Sequence, residues 1–283
     1  MQLGLLELSL KNFAAAEKTF LECTDPPGGN YPCLLGRGEV YMAQKDYGRA
    51  IELLSAAQKK SPDSQRILLA LANAQVLAGQ YDGAISRYQA LIAREPQSSD
   101  YELRLGETYR RAGKTEDAIQ HFRRVKQLDP NAAEAGVWLA LLLHQAGRQT
   151  EAKAEYDRIL KLQPDNPIAL NNLAYMVAEQ GGDLDVALTY AQRAKSKFPQ
   201  SLEISDTLGW IMIKKNLTPG ALEIFKDLVV KKPSNPTFRY HMGMALFQQG
   251  DKPGAKRALE AALTLAPSRE EAIKIRELLQ KIG

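Results

Sequence analysis

The residue types that carry chemistry are few in this chain and far apart. His121, His144 and His241 are its three histidines, and Cys23 and Cys33 its two cysteines. A structural zinc site takes four nitrogen or sulfur ligands at short fixed spacings, which this set does not supply. There is no glycine-rich phosphate loop ending in Lys-Ser or Lys-Thr, no strand-bounded GxGxxG and no HExxH. The sequence therefore predicts no catalytic, cofactor-binding or metal-binding residue, and the histidines read as surface or groove polar groups. Cys23 reads as a small buried packing thiol. A disulfide to Cys33 is the alternative in an oxidising compartment.

What is left is binding. The chain has 283 residues, 45% of them hydrophobic and 25% charged, the balance of a globular protein. Its net charge of +4 is spread evenly along the chain, which argues against nucleic acid as a partner. No run approaches the ~18 apolar residues of a membrane span, and "MQLGLLELSLKNF" lacks the basic start and small-residue cleavage site of a signal peptide.

A fixed period sets the elements that must position any binding surface. Pro62, Pro96, Pro130 and Pro164 recur at 34 residues, Pro199 follows at 35, and Pro233 and Pro267 return to 34. With the proline at position 32, position 20 is Ala50, Ala84, Ala118, Ala152, Ala187, Ala221 and Ala255, the fifth one place late. Position 24 is large in most units (Leu54, Tyr88, Phe122, Tyr156, Phe225, Leu259) and is Ala191 in the fifth. Position 8 is always small: Gly38, Ala72, Gly106, Ala140, Ala174, Gly209 and Gly243.

Two helices and two turns per unit explain this spacing. Position 15 is Gly79, Gly113, Gly147, Gly181, Asn216 and Gly250, residue types that accept the left-handed conformation ending a first helix, A. Pro219 and Pro253 fit the first turn of a second helix, B, and the position-32 proline ends it. Small residues at 8 and 20 let the two backbones approach, while position 24 fills the space beside them.

The pattern resembles the tetratricopeptide repeat, most fully in "LGETYRRAGKTEDAIQHFRRVKQLDP", with Leu105, Gly106, Tyr109, Ala118, Phe122 and Pro130 in place. The resemblance covers nearly the whole chain. It implies an all-α solenoid of tandem helix-turn-helix units, coiled as a right-handed superhelix. The expected units are 31–64, 65–98, 99–132, 133–166, 167–201, 202–235 and 236–267. They are preceded by a partial unit over 1–30 and followed by a capping helix over 268–283.

The two ends differ. Met1 falls at position 5, mid-helix, which predicts further repeats or another domain upstream. After Pro267, Ser268 and Glu271 form a capping box, and Ala272, Ile275, Leu279 and Ile282 share one helical face. In "TDPPGGN" (24–30) glycines replace the turn proline, so a looser junction is expected there.

In the resembled family, helix A lines the concave groove with positions 2, 5, 9, 12 and 13, and position 6 lies at the edge. Helical spacing sets 2, 5, 9 and 12 on a stripe apart from the core stripe 4, 7, 8 and 11. The N-terminal half offers Glu39, Arg66, Asn73, Arg104, Glu107, Arg110, Arg111 and His144, with Arg104, Arg110 and Arg111 as a basic patch. The C-terminal half offers Asn171, Asn172, Tyr175, Asp206, Trp210, Tyr240, Met244 and Phe247 as the candidate partner-binding groove. In "SDTLGWIMI", Leu208, Gly209 and Met212 are expected in the core, and Asp206, Trp210 and Ile213 toward the groove.

A carboxylate clamp is not expected. Position 5 is Leu35, Leu69, Leu103, Val137, Asn171, Asp206 and Tyr240 where that clamp has lysine, and Asn73 alone matches at position 9. The C-terminal third, with NNLAY, the Gly-Gly-Asp-Leu insertion and DTLGW, is also similar to bacterial repeats of envelope and exopolysaccharide (PEP-CTERM/exosortase-type) lipoproteins. That likeness implies a bacterial, periplasmic setting. The expected function is a non-catalytic scaffold holding a protein or peptide in the groove and helping assemble a multiprotein complex. A polysaccharide-contacting module is the alternative.

Overall fold

The computed structural model describes residues 1–23 and 31–283, so the looser junction expected at 24–30 lies outside the described residues. The described residues form seventeen α-helices and no strand. They divide into two compact units, Met1–Gly147 and Arg148–Gly283, and the division falls between the two helices of repeat 133–166.

The first unit contains α1 (Gln2–Ser9), α2 (Phe13–Glu22), α3 (Tyr31–Ala43), α4 (Tyr47–Lys60) and α5 (Gln65–Leu77). It continues with α6 (Tyr81–Arg94), α7 (Ser99–Arg111), α8 (Thr115–Leu128) and α9 (Ala133–Gln145). The second unit contains α10 (Gln149–Leu162), α11 (Pro167–Glu179), α12 (Leu184–Lys197) and α13 (Leu202–Lys214). It ends with α14 (Thr218–Lys231), α15 (Pro236–Gln249), α16 (Lys252–Thr264) and α17 (Arg269–Ile282). Within each unit, consecutive helices pack as neighbours, and successive A helices also touch, as α11 with α13 and α13 with α15.

The repeat chemistry is visible in the packing. Each position-20 alanine from Ala16 to Ala255 is fully buried. A Cβ on Gly209 would come within 2.7 Å of the Phe225 ring, and one on Gly106 within 3.0 Å of Phe122. Position 8 is therefore small because the position-24 side chain lies directly on that backbone. Burying each such ring contributes about 2–3 kcal/mol. Position 15 is left-handed at every predicted residue, and also at Lys11 and Lys45, where the residue type gave no sign of it. Asp183 caps α12 after the extra Gly182, its carboxylate accepting from the backbone N–H of Asp185 at 2.7 Å. The inserted residue is absorbed in a turn.

The helix α17 begins as expected, with Ser268 Oγ accepting from Glu271 N–H at 3.2 Å. Ile275 and Ile282 are buried against α16, with Leu279 beside them. At the other end, Cys23 and Cys33 are joined by a disulfide, their Cα atoms 6.1 Å apart. This corrects the reading of Cys23 as a free thiol. Its place at the end of α2 sets it opposite Cys33 in α3, within disulfide reach.

Candidate partner-binding clefts

In the second unit, α11, α13 and α15 and the start of α17 enclose a cleft of about 500 Å³. Four of the eight expected groove residues line it: Tyr175, Asp206, Trp210 and Tyr240. Successive A helices stack side by side, so positions 5 and 9 of neighbouring helices converge on one wall.

The other four lie elsewhere. Asn172 engages its own helix, Nδ2 donating to the Ile168 carbonyl at 2.8 Å. Asn171 is half-buried, with Oδ1 enclosed and lacking a hydrogen-bond partner among the described residues. Met244 packs on the core cluster of α13 and α14, and Phe247 on the cluster under α17. The cap helix turns the last A helix's outer stripe into an interior seam.

Trp210 is less of an offered anchor than its position implies. It is only 8% exposed and belongs to the same buried cluster as Ile211, Ile213 and Phe225. Ile213, expected at the groove, is buried too. The reason is that α11 and α15 flank α13 on both sides and cover its groove stripe. The Tyr175 ring lies 5.3 Å from Trp210, and the Lys214 ammonium sits 4.1 Å from the Trp210 ring centroid. Lys214 is held there by the Ala178 carbonyl at 3.0 Å and the Glu179 carboxylate at 3.1 Å. Tyr175, 40% exposed, is the ring most open to a ligand.

The cleft gains residues beyond the eight expected. His241 Nδ1 lies 2.7 Å from Asp206 Oδ1, tying α15 to α13. From α17 come Glu270, Glu271 and Lys274, with Lys274 bound to Glu270 at 2.8 Å. That bond raises the Lys274 pKa and lowers that of Glu270. Burial raises the pKa of Tyr175 and Tyr240, with nearby carboxylates adding to it and Lys274 opposing it. Glu179 and His241 occupy positions 13 and 6, which belong to the family's groove set and its edge. The α17 residues have no place in a 34-residue register, so periodicity carried no signal for them.

The first unit holds a second cleft, about 670 Å³, lined by Arg110, Thr115, Trp138, Leu141, Leu142 and His144 among others. The Arg110 guanidinium lies 4.0 Å from the centroid of the Trp138 ring. Trp138, at edge position 6, was not among the expected groove residues. Of the residues of the expected basic patch, Arg110 lines this cleft, Arg104 is bound to Asp100 at 2.8 Å, and Arg111 is exposed. Burial lowers the His144 pKa. Asn73, the single match to a carboxylate clamp, accepts the Tyr88 hydroxyl at 2.6 Å.

No group of three or more His, Cys, Asp and Glu side chains among the described residues is arranged to hold a metal ion. Nor is any helix long and apolar enough to cross a membrane among the described residues.

Antiparallel helix pairs at a 34-residue step, closed by a position-8 glycine or alanine against a position-24 side chain, define the tetratricopeptide class. The chain belongs to the family described as the Cilia and flagella-associated protein 70 C-terminal domain, whose model matches residues 6–278. No curated protein matches it. Among solved structures it is similar to a tetratricopeptide repeat protein from Parabacteroides merdae, 19% identical, with a TM-score of 0.65 over 89% of this chain and 98% of that one. It is also similar to YrrB, described as a TPR protein with an unusual peptide-binding site, at 17% identity and a TM-score of 0.55 over 67% of this chain and 97% of that one. The protein MamA is 24% identical, with a TM-score of 0.53 over 60% of this chain and 92% of that one. At these identities the likeness is one of fold.

Proposed function

We propose that this protein is a non-catalytic scaffold that holds an extended segment of a partner protein along α11, α13 and α15, anchored in the C-terminal cleft. The observation that carries this reading is the cleft itself, where Tyr175, Trp210 and Tyr240 converge with hydroxyls and carboxylates at its rim. Aromatic walls with a few polar groups suit a peptide, because apolar contact gives affinity and the polar groups fix orientation. The unusual peptide-binding site of YrrB supports the view that an array of this fold can hold such a ligand.

A polysaccharide ligand would use Asn amides, here Asn171 and Asn172, together with the aromatic faces as sugar contacts. Asn172 is engaged with its own helix and the Asn171 oxygen is enclosed, which favours the peptide. Assembly of an envelope complex is the setting we propose for the scaffold. The Cys23–Cys33 disulfide supports it, since such bonds persist in oxidising compartments.

The test is capture from a displayed random-peptide library by the full chain and by Tyr175→Ala/Tyr240→Ala. The wild-type chain should enrich a sequence family that the double variant loses while its far-UV helical signal is kept. Enrichment that is absent, or unchanged in the double variant, overturns the groove reading.

A further inference from the structure

We infer that the C-terminal cleft receives a positively charged side chain, lysine or arginine, from the bound segment. This rests on the groove reading and names what the groove selects. Four carboxylates line the cleft, Glu179, Asp206, Glu270 and Glu271, against one lysine, Lys274, and His241. Lys214, behind Trp210, is committed to Glu179 and Lys274 to Glu270. Asp206 has His241, and Glu271 lines the cleft with no ion pair to it among the described residues. Acidic groups outnumber the cations that answer them, so an incoming cation meets a favourable field.

The protein displays this chemistry within its own wall. The Lys214 ammonium lies over the Trp210 ring while bonded to a carboxylate and a carbonyl, three contacts that a partner's lysine would seek. Tyr175 and Tyr240 offer further ring surface beside the remaining carboxylates.

An anion is the opposite possibility, because the N-termini of α15 and α17 both open on the cleft. Both already carry a side-chain cap. Asn235 Oδ1 accepts from Thr237 N–H at 2.9 Å and Phe238 N–H at 3.3 Å, and Ser268 caps α17. Glu270 and Glu271 sit in the first turn of α17 and offset its dipole.

Lys274 then acts as a resident competitor. It stands at the mouth, 54% exposed, within electrostatic reach of Tyr175 and Tyr240. A bound cation displaces it from Glu270 or shares that carboxylate.

The experiment titrates the full chain with fluorescein-labelled hexapeptides of alternating Ala-Lys, Ala-Gln and Ala-Glu, read by anisotropy. The lysine peptide should bind about tenfold or more tighter than the glutamate peptide at low salt and weaken as salt rises. Glu271→Gln should weaken the lysine peptide several-fold and Lys274→Gln should tighten it, whereas a merely structural lysine gives no gain. Equal affinity for all three peptides, preference for glutamate, or no lysine-peptide binding overturns the inference. If all three bind equally and Tyr175→Ala/Tyr240→Ala abolishes them, the groove reading stands and the cation is removed. If the library capture also fails, both fall.

Discussion

His241 Nδ1 and Asp206 Oδ1 lie 2.7 Å apart and join two neighbouring A helices at the floor of the cleft. The pair is one side of a joint whose other side is the Phe225 ring, 5.5 Å from the imidazole. With side chains 13% and 18% exposed, it is sheltered from solvent without being fully desolvated. A coupling of about 1 kcal/mol is expected. Urea unfolding of His241→Ala, Asp206→Ala and the double variant measures it, and strictly additive costs would show that the contact holds nothing.

A second carboxylate–imidazole pair has the more buried carboxylate, 8% exposed against 18% for Asp206. Glu102 is buried in α7, at a core-stripe position, and His121 Nδ1 from α8 stands 2.6 Å away, its ring stacked on Tyr109 at 5.2 Å. Removing the imidazole strands a carboxylate in an apolar seam. His121→Ala should therefore cost about 3 kcal/mol, and adding Glu102→Leu should recover most of it. Thermal or urea denaturation decides this, and a single variant as stable as wild type would refute it.

The turns give a cleaner case, because packing is absent from it. Gly113 has φ +74 and nothing within 4 Å of where a Cβ would stand, so the cost of Gly113→Ala is that of backbone conformation alone, about 1–2 kcal/mol. Lys45 holds the equivalent position at φ 63. Lys45→Gly should leave the chain equally stable or up to about 1 kcal/mol more so, after the extra unfolded-state freedom of glycine is subtracted. Comparing the two denaturation midpoints tests both signs together.

These residues also show what the sequence could and could not display. Glycine at position 15 announces a left-handed turn, whereas Lys11 and Lys45 take that conformation because the helices on either side require it. The alanines at position 20 and the large side chains at position 24 were readable because one contact, helix A against helix B, recurs in every unit. Trp210 lines the cleft to which its position assigned it, but its burial depends on two neighbouring A helices, which a single-unit pattern does not contain. Of the cleft's carboxylates, Asp206 was readable from the register, whereas Glu270 and Glu271 were not, since they come with Lys274 from a cap helix outside the period. The disulfide depended on how closely α2 and α3 approach.

The position-24 tyrosines predict how the fold responds to alkali. Tyr88 and Tyr156 are almost wholly enclosed, and burial pushes the Tyr88 hydroxyl up to about 12 and that of Tyr156 higher still. A raised folded-state pKa means that the native protein holds its proton where the unfolded chain, near 10, has lost it. Stability from these groups is complete below about pH 10 and is lost as pH rises through the folded value, by about 2–3 kcal/mol for a hydroxyl raised from 10 to about 12. Tyr88→Phe should flatten that decline while sacrificing the hydrogen bond to Asn73. Tyr156→Phe differs in sign at neutral pH, because its hydroxyl is enclosed with no hydrogen-bond partner among the described residues. Removing that group should raise stability by up to about 1 kcal/mol and also flatten the alkaline limb. Urea midpoints followed from neutral pH into the alkaline range test both variants. An alkaline slope identical to wild type in each would show that these hydroxyls do not govern it.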